Sequence, residues 1–305
     1  MWRQILSEIA ALPRAKRREA LARARESLPA EKTEEWNSSF SEDSLYEAWT
    51  TIEPMRELYK YNRRVIREFL DARPGWHIVE IGGGNGALWR DFFRENERGS
   101  FTLIDPQESA REAVKSALPG SLKFRVLAGR VEEAEIPPAD LIVCGLMLHH
   151  VAGLDSNQRK RYGLEGPGKL ELLERFLSSV RPGRGICILN ESDVYTEIDL
   201  APDDPLLIDR LIDSYITRAA PAVAASLEEP GLDPELGRRL EAILIHWCIG
   251  QVETAGTSLR LERDVFELDT TCWLRLLERA GARIISHRFT DDWNLFHQYV
   301  FTSVD

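Results

Sequence analysis

The sequence has few cysteines and no long apolar run. Its four cysteines, Cys144, Cys187, Cys248 and Cys272, are widely spaced and form no C-x-x-C pair, which argues against a disulfide framework and a metal site. No apolar run approaches the roughly 20 residues that a bilayer-spanning helix needs, and the first residues form an amphipathic pattern rather than a signal peptide. We therefore expect a cytoplasmic protein with no membrane segment and no metal.

The sequence is also poor in basic residues relative to acidic ones. Fifty Asp and Glu residues outnumber 39 Lys and Arg residues, and the net charge of −11 argues against a broad nucleic-acid-binding surface. The basic stretch at residues 14–25 is diluted by alanines, so we interpret it as a solvent-facing helix surface. With 305 residues, the chain is long enough for one large domain or one domain with an insertion.

A glycine cluster at residues 82–84 is the most informative feature. It follows a short, largely β-branched run, His77–Ile81, and precedes a helical pattern at Ala87–Arg94. Glycines permit positive φ and let a ligand approach the backbone at the start of a helix. The pattern predicts a buried strand followed by a nucleotide-binding turn.

Two cofactor classes use such a turn. Gly82, Gly84 and Ala87 fit the dinucleotide fingerprint G-x-G-x-x-G/A, and Asp105 follows at the spacing of a ribose-binding acid. A carboxylate at Glu80, immediately before the turn, would repel a pyrophosphate but would suit the ammonium group of a methionine moiety. An NAD(P)-dependent oxidoreductase is therefore the alternative to an S-adenosylmethionine enzyme.

The order Glu80, Ile81, Gly82, Gly84, Gly86 resembles motif I of the class I, Rossmann-like S-adenosylmethionine-dependent methyltransferases. The resemblance implies that S-adenosyl-L-methionine is the cofactor and that the three glycines shape its turn. It further implies that Glu80 supports the methionine end of the cofactor. The likeness extends continuously from about residue 75 to residue 191 and resumes near residue 266.

Two later motifs concern the nucleoside. Asp105-Pro106 ends the second predicted strand and matches the motif-II acid, which implies a contact between Asp105 and the ribose hydroxyls. A helix-capping role for Asp105 is compatible with that contact. Where the family often has an acid for the adenine amino group, this sequence has Arg130. Adenine recognition is then expected from the Val131 backbone, Glu132 or a water molecule.

The fourth predicted strand, Ala139–Gly145, leads to a segment with two candidate general bases, His149 and His150. The segment resembles motif IV of the small-molecule methyltransferases and lacks the Asn-Pro-Pro-aromatic tetrad of enzymes that methylate nucleic-acid bases. The end of this strand faces the donor methyl group, and Gly145 there is a further candidate cofactor contact. Histidine has an unperturbed pKa near ~6.5, which suits a base, but the sequence does not choose between the two.

The order of elements predicts a doubly wound α/β fold with a seven-stranded sheet, mostly parallel with one antiparallel strand near the C-terminus. We place an N-terminal helical lid at residues 1–72, the methyltransferase core at 73–191 and 264–305, and a helical insertion at 192–263 that caps the substrate site. The candidate lid residues are Trp49, Tyr59 and Tyr61. The candidate substrate contacts in the insertion are Asp193, Tyr195, Glu197, His246, Trp247 and Gln251.

The predicted function is transfer of a methyl group to an oxygen or nitrogen nucleophile of a small molecule, such as a natural product (EC 2.1.1). A peptide or protein methyltransferase and a non-catalytic, cofactor-binding partner subunit are alternatives. A homodimer through the insertion or the N-terminal helices is a further expectation.

Overall fold

The computed structural model of the protein describes residues 2–26, 47–73, 75–95, 97–151, 167–193, 205–245 and 268–304. Seven strands form a single sheet. The strands are β1 (His77–Ile81), β2 (Ser100–Ile104), β3 (Lys123–Leu127), β4 (Leu141–Gly145), β5 (Ile186–Ser192), β6 (Ala282–Phe289) and β7 (Phe296–Ser303).

The order of the strands across the sheet is β3-β2-β1-β4-β5-β7-β6. The first five strands pair in parallel, and β7 pairs antiparallel with both β5 and β6. The predicted fold class, a mostly parallel seven-stranded sheet with one antiparallel strand near the C-terminus, is therefore confirmed. Because β1 and β4 are adjacent and lead to opposite halves of the sheet, a crevice opens at their carboxyl ends, where α/β proteins bind ligands.

Helices lie on both sides of this sheet. They are α1 (Trp2–Ala11), α2 (Arg14–Glu26), α3 (Glu53–Asp71), α4 (Glu108–Ala117), α5 (Pro167–Ser179), α6 (Pro205–Ser214), α7 (Ala220–Ser226), α8 (Pro234–Ile245) and α9 (Thr270–Arg279). A π-helical segment, Tyr215–Ala219, joins α6 to α7. In the described ranges, no helix is long and apolar enough to cross a membrane.

The central strands are buried on both faces, as their continuous apolar runs predict. Successive residues of β1 belong to two different core clusters, with Ile78 in one and Val79 in the other. Cys144 and Cys187 lie in β4 and β5 as buried free thiols, as expected for small core residues. Cys272 is also buried, while Cys248 lies outside the described residues.

The helix expected at Ala87–Arg94 is absent, and consecutive turns take its place. Asp91 has a φ of +56°, which a continuous helix does not tolerate. The carbonyl oxygens of Ala87, Leu88 and Arg90 accept hydrogen bonds from the Arg63 guanidinium of α3, at 2.8 to 2.9 Å. A side chain distant in sequence thus supplies the partners that a helix would have found in its own backbone.

The N-terminal helices and the helices after β5 pack against one another. The Arg17 side chain donates to Asp213 of α6 at 2.9 Å, and Arg14 pairs with the same carboxylate at 2.5 Å. Lys16 and Arg18 are exposed, as predicted for the basic stretch, but the prediction is wrong for Arg17, which is half-buried in this contact. The boundaries of the lid and the insertion stay predictions.

Candidate active site

The glycine turn follows β1 at the carboxyl edge of the sheet. Gly82, Gly84 and Gly86 have φ values of +75°, +52° and +70°, a region that favours glycine. A Cβ at Gly82 would lie 2.6 Å from Cγ of Met147, and one at Gly86 would lie 2.9 Å from the Ala113 carbonyl oxygen. The backbone of the turn is therefore packed closely from behind, in a form that other residues cannot adopt.

Asp105 emerges beside this turn at the end of β2. Its Oδ2 accepts the Gly83 N–H at 2.8 Å, and its Oδ1 accepts the Gln107 N–H at 2.7 Å. The helix cap itself is Gln107, so Asp105 shapes the approach to α4 and holds the glycine turn against β2. Each carboxylate oxygen can accept a second hydrogen bond, so a ribose contact by Asp105 is chemically open and stays a prediction.

Glu80 is buried at the end of β1, and its Oε2 has no hydrogen-bond partner among the described residues. Burial raises the pKa of this carboxyl well above its usual range, and the Asp105 carboxylate adds to the rise. The Trp89 indole opposes it, although its Nε1 does not reach hydrogen-bond geometry with any described residue. A buried carboxyl oxygen without a hydrogen-bond donor suits the ammonium group predicted for this position.

The segment predicted to meet adenine follows β3. Val131 is buried, and the Arg130 guanidinium lies 3.6 Å from the Glu132 carboxylate. Arg130, which stands where the family often has an acid, is thus paired with Glu132, two residues further along the chain. Pro106 is exposed on the adjoining loop. The adenine contacts of Val131 and Glu132 and the cofactor contact of Pro106 stay predictions.

The chain turns sharply after β4. Gly145 ends the strand, where a Cβ would meet only Asn190 Oδ1 at 3.8 Å, so its predicted cofactor contact rests on position alone. Leu146 has a φ of +50°, uncommon for a branched side chain, and its N–H donates to the Asn190 carbonyl at 2.8 Å. Met147 then lies against Gly82 and leads into a short 3₁₀ turn, Leu148–His150. The backbone thereby brings the histidine turn beside the glycine turn.

The structure distinguishes His149 from His150, which the sequence alone does not. His149 is buried, with 8% of its surface exposed, whereas His150 is exposed. Nδ1 of His149 lies 2.6 Å from Oε2 of Glu191 in β5, and Oε1 of the same carboxylate accepts the Leu148 N–H at 2.8 Å. A proton on Nδ1 directed at Glu191 leaves the lone pair of the neutral ring on Nε2.

Glu191 is fully enclosed, and burial raises its pKa to about 7. The ammonium group of Lys169, itself completely buried in α5, opposes this shift most strongly, followed by the Leu148 N–H and by His150. Near neutral pH, a modest change in surroundings therefore decides whether Glu191 is ionised. Sequence reasoning missed Glu191, although the rule used for Asp105, an acid at the carboxyl end of a buried strand, applies to it equally.

Lys169 and Arg63 were also missed, and no local signal marks them. Both occur in amphipathic helices, where a basic residue usually faces solvent. The predicted lid residues Trp49 and Tyr59 pack against the core, and Trp49 meets Phe296 edge to face at 5.8 Å. Tyr61 has the guanidinium of Arg64 4.8 Å from its ring centroid.

Asp193, a predicted substrate contact, is engaged in contacts within the protein. Its Oδ1 accepts the Thr270 N–H at 2.6 Å, and it pairs with Arg218 of the π-helical segment. The remaining candidate substrate contacts of the insertion, Tyr195, Glu197, His246, Trp247 and Gln251, lie outside the described residues.

Comparison with known proteins identifies the part of the chain that forms this site. Residues 79–182 match the family model described as "Methyltransferase domain". This part of the chain is therefore a methyltransferase domain. The match confirms the predicted resemblance and the predicted cofactor, S-adenosyl-L-methionine.

One curated relative of this methyltransferase domain is cyclosporin synthetase of Tolypocladium inflatum. It is 30% identical over 121 residues, an alignment that covers 35% of this chain and about 1% of the synthetase. The chain thus spans a very small part of that relative's length.

Solved structures resemble the fold at low identity. A possible exported protein from Bordetella parapertussis matches at 16% identity and a TM-score of 0.46, covering 82% of this chain and 68% of that one. The N-methyltransferase NodS of Bradyrhizobium japonicum, solved with S-adenosyl-L-homocysteine, matches at 11% identity and 0.44, covering 84% and 90%. Human N-acetylserotonin methyltransferase matches at 16% and 0.43, covering 82% and 54%. At these scores the likenesses carry no information on the acceptor.

Proposed function

We propose that this protein transfers the methyl group of S-adenosyl-L-methionine to an oxygen or nitrogen nucleophile of a small molecule, with His149 as the general base. The observation that carries the proposal is the buried His149–Glu191 pair, held beside the glycine turn through the contact between Met147 and Gly82. A base next to the cofactor turn suits an acceptor whose hydroxyl or ammonium group must lose a proton.

Different residues at the carboxyl edge of the sheet bind different parts of the cofactor. Gly82, Gly84 and Gly86 let the ligand approach the backbone, and the Glu80 carboxyl oxygen that lacks a partner among the described residues receives its ammonium group. Asp105 accepts ribose hydroxyl protons through the acceptor capacity left by its two backbone contacts. When bound, the cofactor supplies an electrophilic sulfonium methyl group.

His149 Nε2 removes the proton of the acceptor while Glu191 holds the ring through Nδ1 and stabilises the imidazolium that forms. General base catalysis of this kind contributes about 10²- to 10⁴-fold. Alignment of the reactants and exclusion of water can supply a further ~7–11 kcal/mol of the barrier. Helices α6 to α8 follow the strand that carries Glu191, and this order along the chain supports a substrate cap formed by these helices.

The decisive experiment is calorimetric titration of the purified chain with S-adenosyl-L-methionine, S-adenosyl-L-homocysteine, NAD(H) and NADP(H), followed by an acceptor screen. We expect binding of the first two ligands alone, and formation of S-adenosyl-L-homocysteine with phenols, alcohols or amines. Binding of a nicotinamide nucleotide instead would overturn the proposal.

The acceptor screen also separates the alternatives. Turnover with peptides but not with small molecules would favour a peptide methyltransferase. Tight cofactor binding without product from any acceptor pool would favour a partner subunit that binds without turnover. Location in the cytoplasm and dimer formation through the helical additions stay predictions.

A further inference from the structure

Arg63 of α3 contacts the turn at residues 87–94, the segment for which the sequence predicts a helix. Its Nε donates to the Leu88 carbonyl at 2.9 Å, and its Nη2 donates to the Ala87 and Arg90 carbonyls at 2.8 Å each. One planar guanidinium therefore binds three carbonyl oxygens of the turn that follows the glycines, a geometry that a lysine ammonium cannot reproduce.

This turn is continuous with the predicted cofactor site. The Arg90 and Trp89 N–H groups donate to the Gly86 carbonyl, and the Gly86 N–H donates to the Gly83 carbonyl, at 3.0 to 3.1 Å. The segment held by Arg63 is thus hydrogen-bonded directly to Gly86, one of the three glycines of the turn with positive φ. A displacement of the turn would move the backbone on which the cofactor is expected to lie.

The same turn also carries the buried Trp89. This residue lies in sequence between Leu88 and Arg90, whose carbonyls Arg63 binds, and its ring stacks on Phe93 with ring centroids 5.5 Å apart. Its indole opposes the rise in the pKa of Glu80 without reaching hydrogen-bond geometry with any described residue. The geometric connection from Arg63 to the predicted methionine subsite therefore runs through the glycine backbone.

We infer that Arg63 is a positioning residue for the cofactor, one that replaces the missing helix by binding its carbonyl oxygens. This inference rests on the proposed function. A second contact from the same N-terminal segment supports it, because Asn85 Nδ2 donates to Thr50 Oγ1 at 3.2 Å while Asn85 Oδ1 accepts the Ala87 N–H at 3.1 Å. The segment that precedes β1 therefore contacts the cofactor turn at both ends.

The test compares Arg63→Met and Arg63→Lys with Arg64→Met. Arg64 is the exposed neighbour on the same helix, and its guanidinium lies over the Tyr61 ring rather than on the turn. Two measurements are made well below the melting temperature: the Kd for S-adenosyl-L-homocysteine, and amide hydrogen exchange of residues 84–93 without ligand. Loss of global stability alone would change neither the Kd nor the exchange of this segment relative to the strands.

We expect Arg63→Met to weaken binding by about 10-fold or more and to accelerate exchange in residues 84–93 only, with Arg63→Lys intermediate and Arg64→Met unchanged. If Arg63→Met does not fold, Arg63→Lys, which keeps charge and stem, decides the question by the same two measurements. Wild-type affinity and exchange in the folded Arg63 variants would overturn this inference alone. Failure of the unaltered chain to bind S-adenosyl-L-homocysteine would instead overturn the proposed function.

Discussion

Nδ1 of His149 lies 2.6 Å from Oε2 of Glu191, a residue 42 positions further along the chain. The pair is buried, and the carboxylate is also fixed by the Leu148 N–H at 2.8 Å, one residue before the histidine. Two hydrogen bonds from consecutive residues to one carboxylate lock the imidazole in a single orientation. With Glu191 ionised, this relationship favours the His149 tautomer that has its proton on Nδ1.

The two histidines should therefore differ in their effect on turnover. His149→Ala removes the base and should lower kcat by about 10²- to 10⁴-fold, while His150→Ala, which alters an exposed ring, should change kcat by less than about threefold. Both variants should bind S-adenosyl-L-homocysteine as the unaltered chain does. Steady-state kinetics with any identified acceptor checks this. Equal losses in both variants would contradict the assignment of His149.

Turnover should also depend on pH through Glu191. Its pKa is raised to about 7 by burial, and only the ionised carboxylate carries the charge that stabilises the imidazolium formed when His149 takes a proton. The active form is thus present above this pKa and is lost as the pH falls through it, so log kcat should decline on the acid side of about pH 7.

Glu191→Gln provides the matched control for that profile. The amide can still accept the Leu148 N–H, but its NH₂ group would donate to Nδ1 and place the ring proton on Nε2. We expect kcat to fall by about 100-fold and the acid limb, which then reflects protonation of His149 alone, to move to a different pH, with the KM for the cofactor unchanged. An acid limb at the same pH in Glu191→Gln would exclude Glu191 as its origin.

Cofactor binding should release a proton from Glu80. Burial raises the pKa of this carboxyl well above its usual range, which favours the protonated form in the ligand-free protein. An ammonium group placed against it favours the ionised form and lowers the pKa again, so the proton leaves and affinity rises with pH.

Calorimetric titration with S-adenosyl-L-methionine at one mildly acidic pH in two buffers of different ionisation enthalpy, phosphate and Bis-Tris, measures this release. The apparent enthalpy should differ between the buffers in proportion to the protons released, and Glu80→Gln should abolish the difference. A buffer-independent enthalpy in the unaltered chain would show that the ammonium group does not meet Glu80.

Gly82→Ala should destabilise the fold for two separable reasons. A Cβ there is strained at a φ of +75°, which costs roughly 1–2 kcal/mol, and it would also lie 2.6 Å from Cγ of Met147. Gly120→Ala, where a Cβ meets nothing within 4 Å, is the control and should leave the free energy of unfolding nearly unchanged. Urea denaturation measures both.

The double variant Gly82→Ala with Met147→Ala separates the two contributions. It removes the 2.6 Å contact with Cγ of Met147 but keeps the Cβ of residue 147, 3.1 Å from the new Cβ, and the backbone strain. The loss of unfolding free energy caused by Gly82→Ala should therefore be smaller in the Met147→Ala background but should not vanish. If Gly82→Ala causes no loss of unfolding free energy in the Met147→Ala background, backbone strain at Gly82 is not the cause of the destabilisation.

The helix expected at Ala87–Arg94 shows where local reasoning fails. Periodicity and helix propensity depend on neighbours within one or two turns, and they favour a helix there. The turn is nevertheless selected because Arg63, about 25 residues earlier, binds three carbonyl oxygens that a helix would keep for its own N–H groups. No pattern within the segment itself contains that information.

The sequence by itself determined the sheet and the cofactor turn. Buried strands are continuous apolar runs, and positive φ values require glycines at particular positions, so both features are written within a few consecutive residues. The carboxyl-edge rule then placed Glu80, the glycines, Asp105 and the histidine segment at one end of the sheet.

Only the tertiary structure showed that His149 lies against Glu191 and that Arg63 holds the turn after the glycines. His149 and His150 are adjacent and chemically identical, and they differ because β4 and β5 are neighbours in register, which brings Oε2 of Glu191 within 2.6 Å of Nδ1 of His149. Lys169 and Arg63 look like solvent-facing helix residues until packing buries one and directs the other at a turn. Such roles depend on contacts between distant segments, and those contacts exist only once the chain has folded.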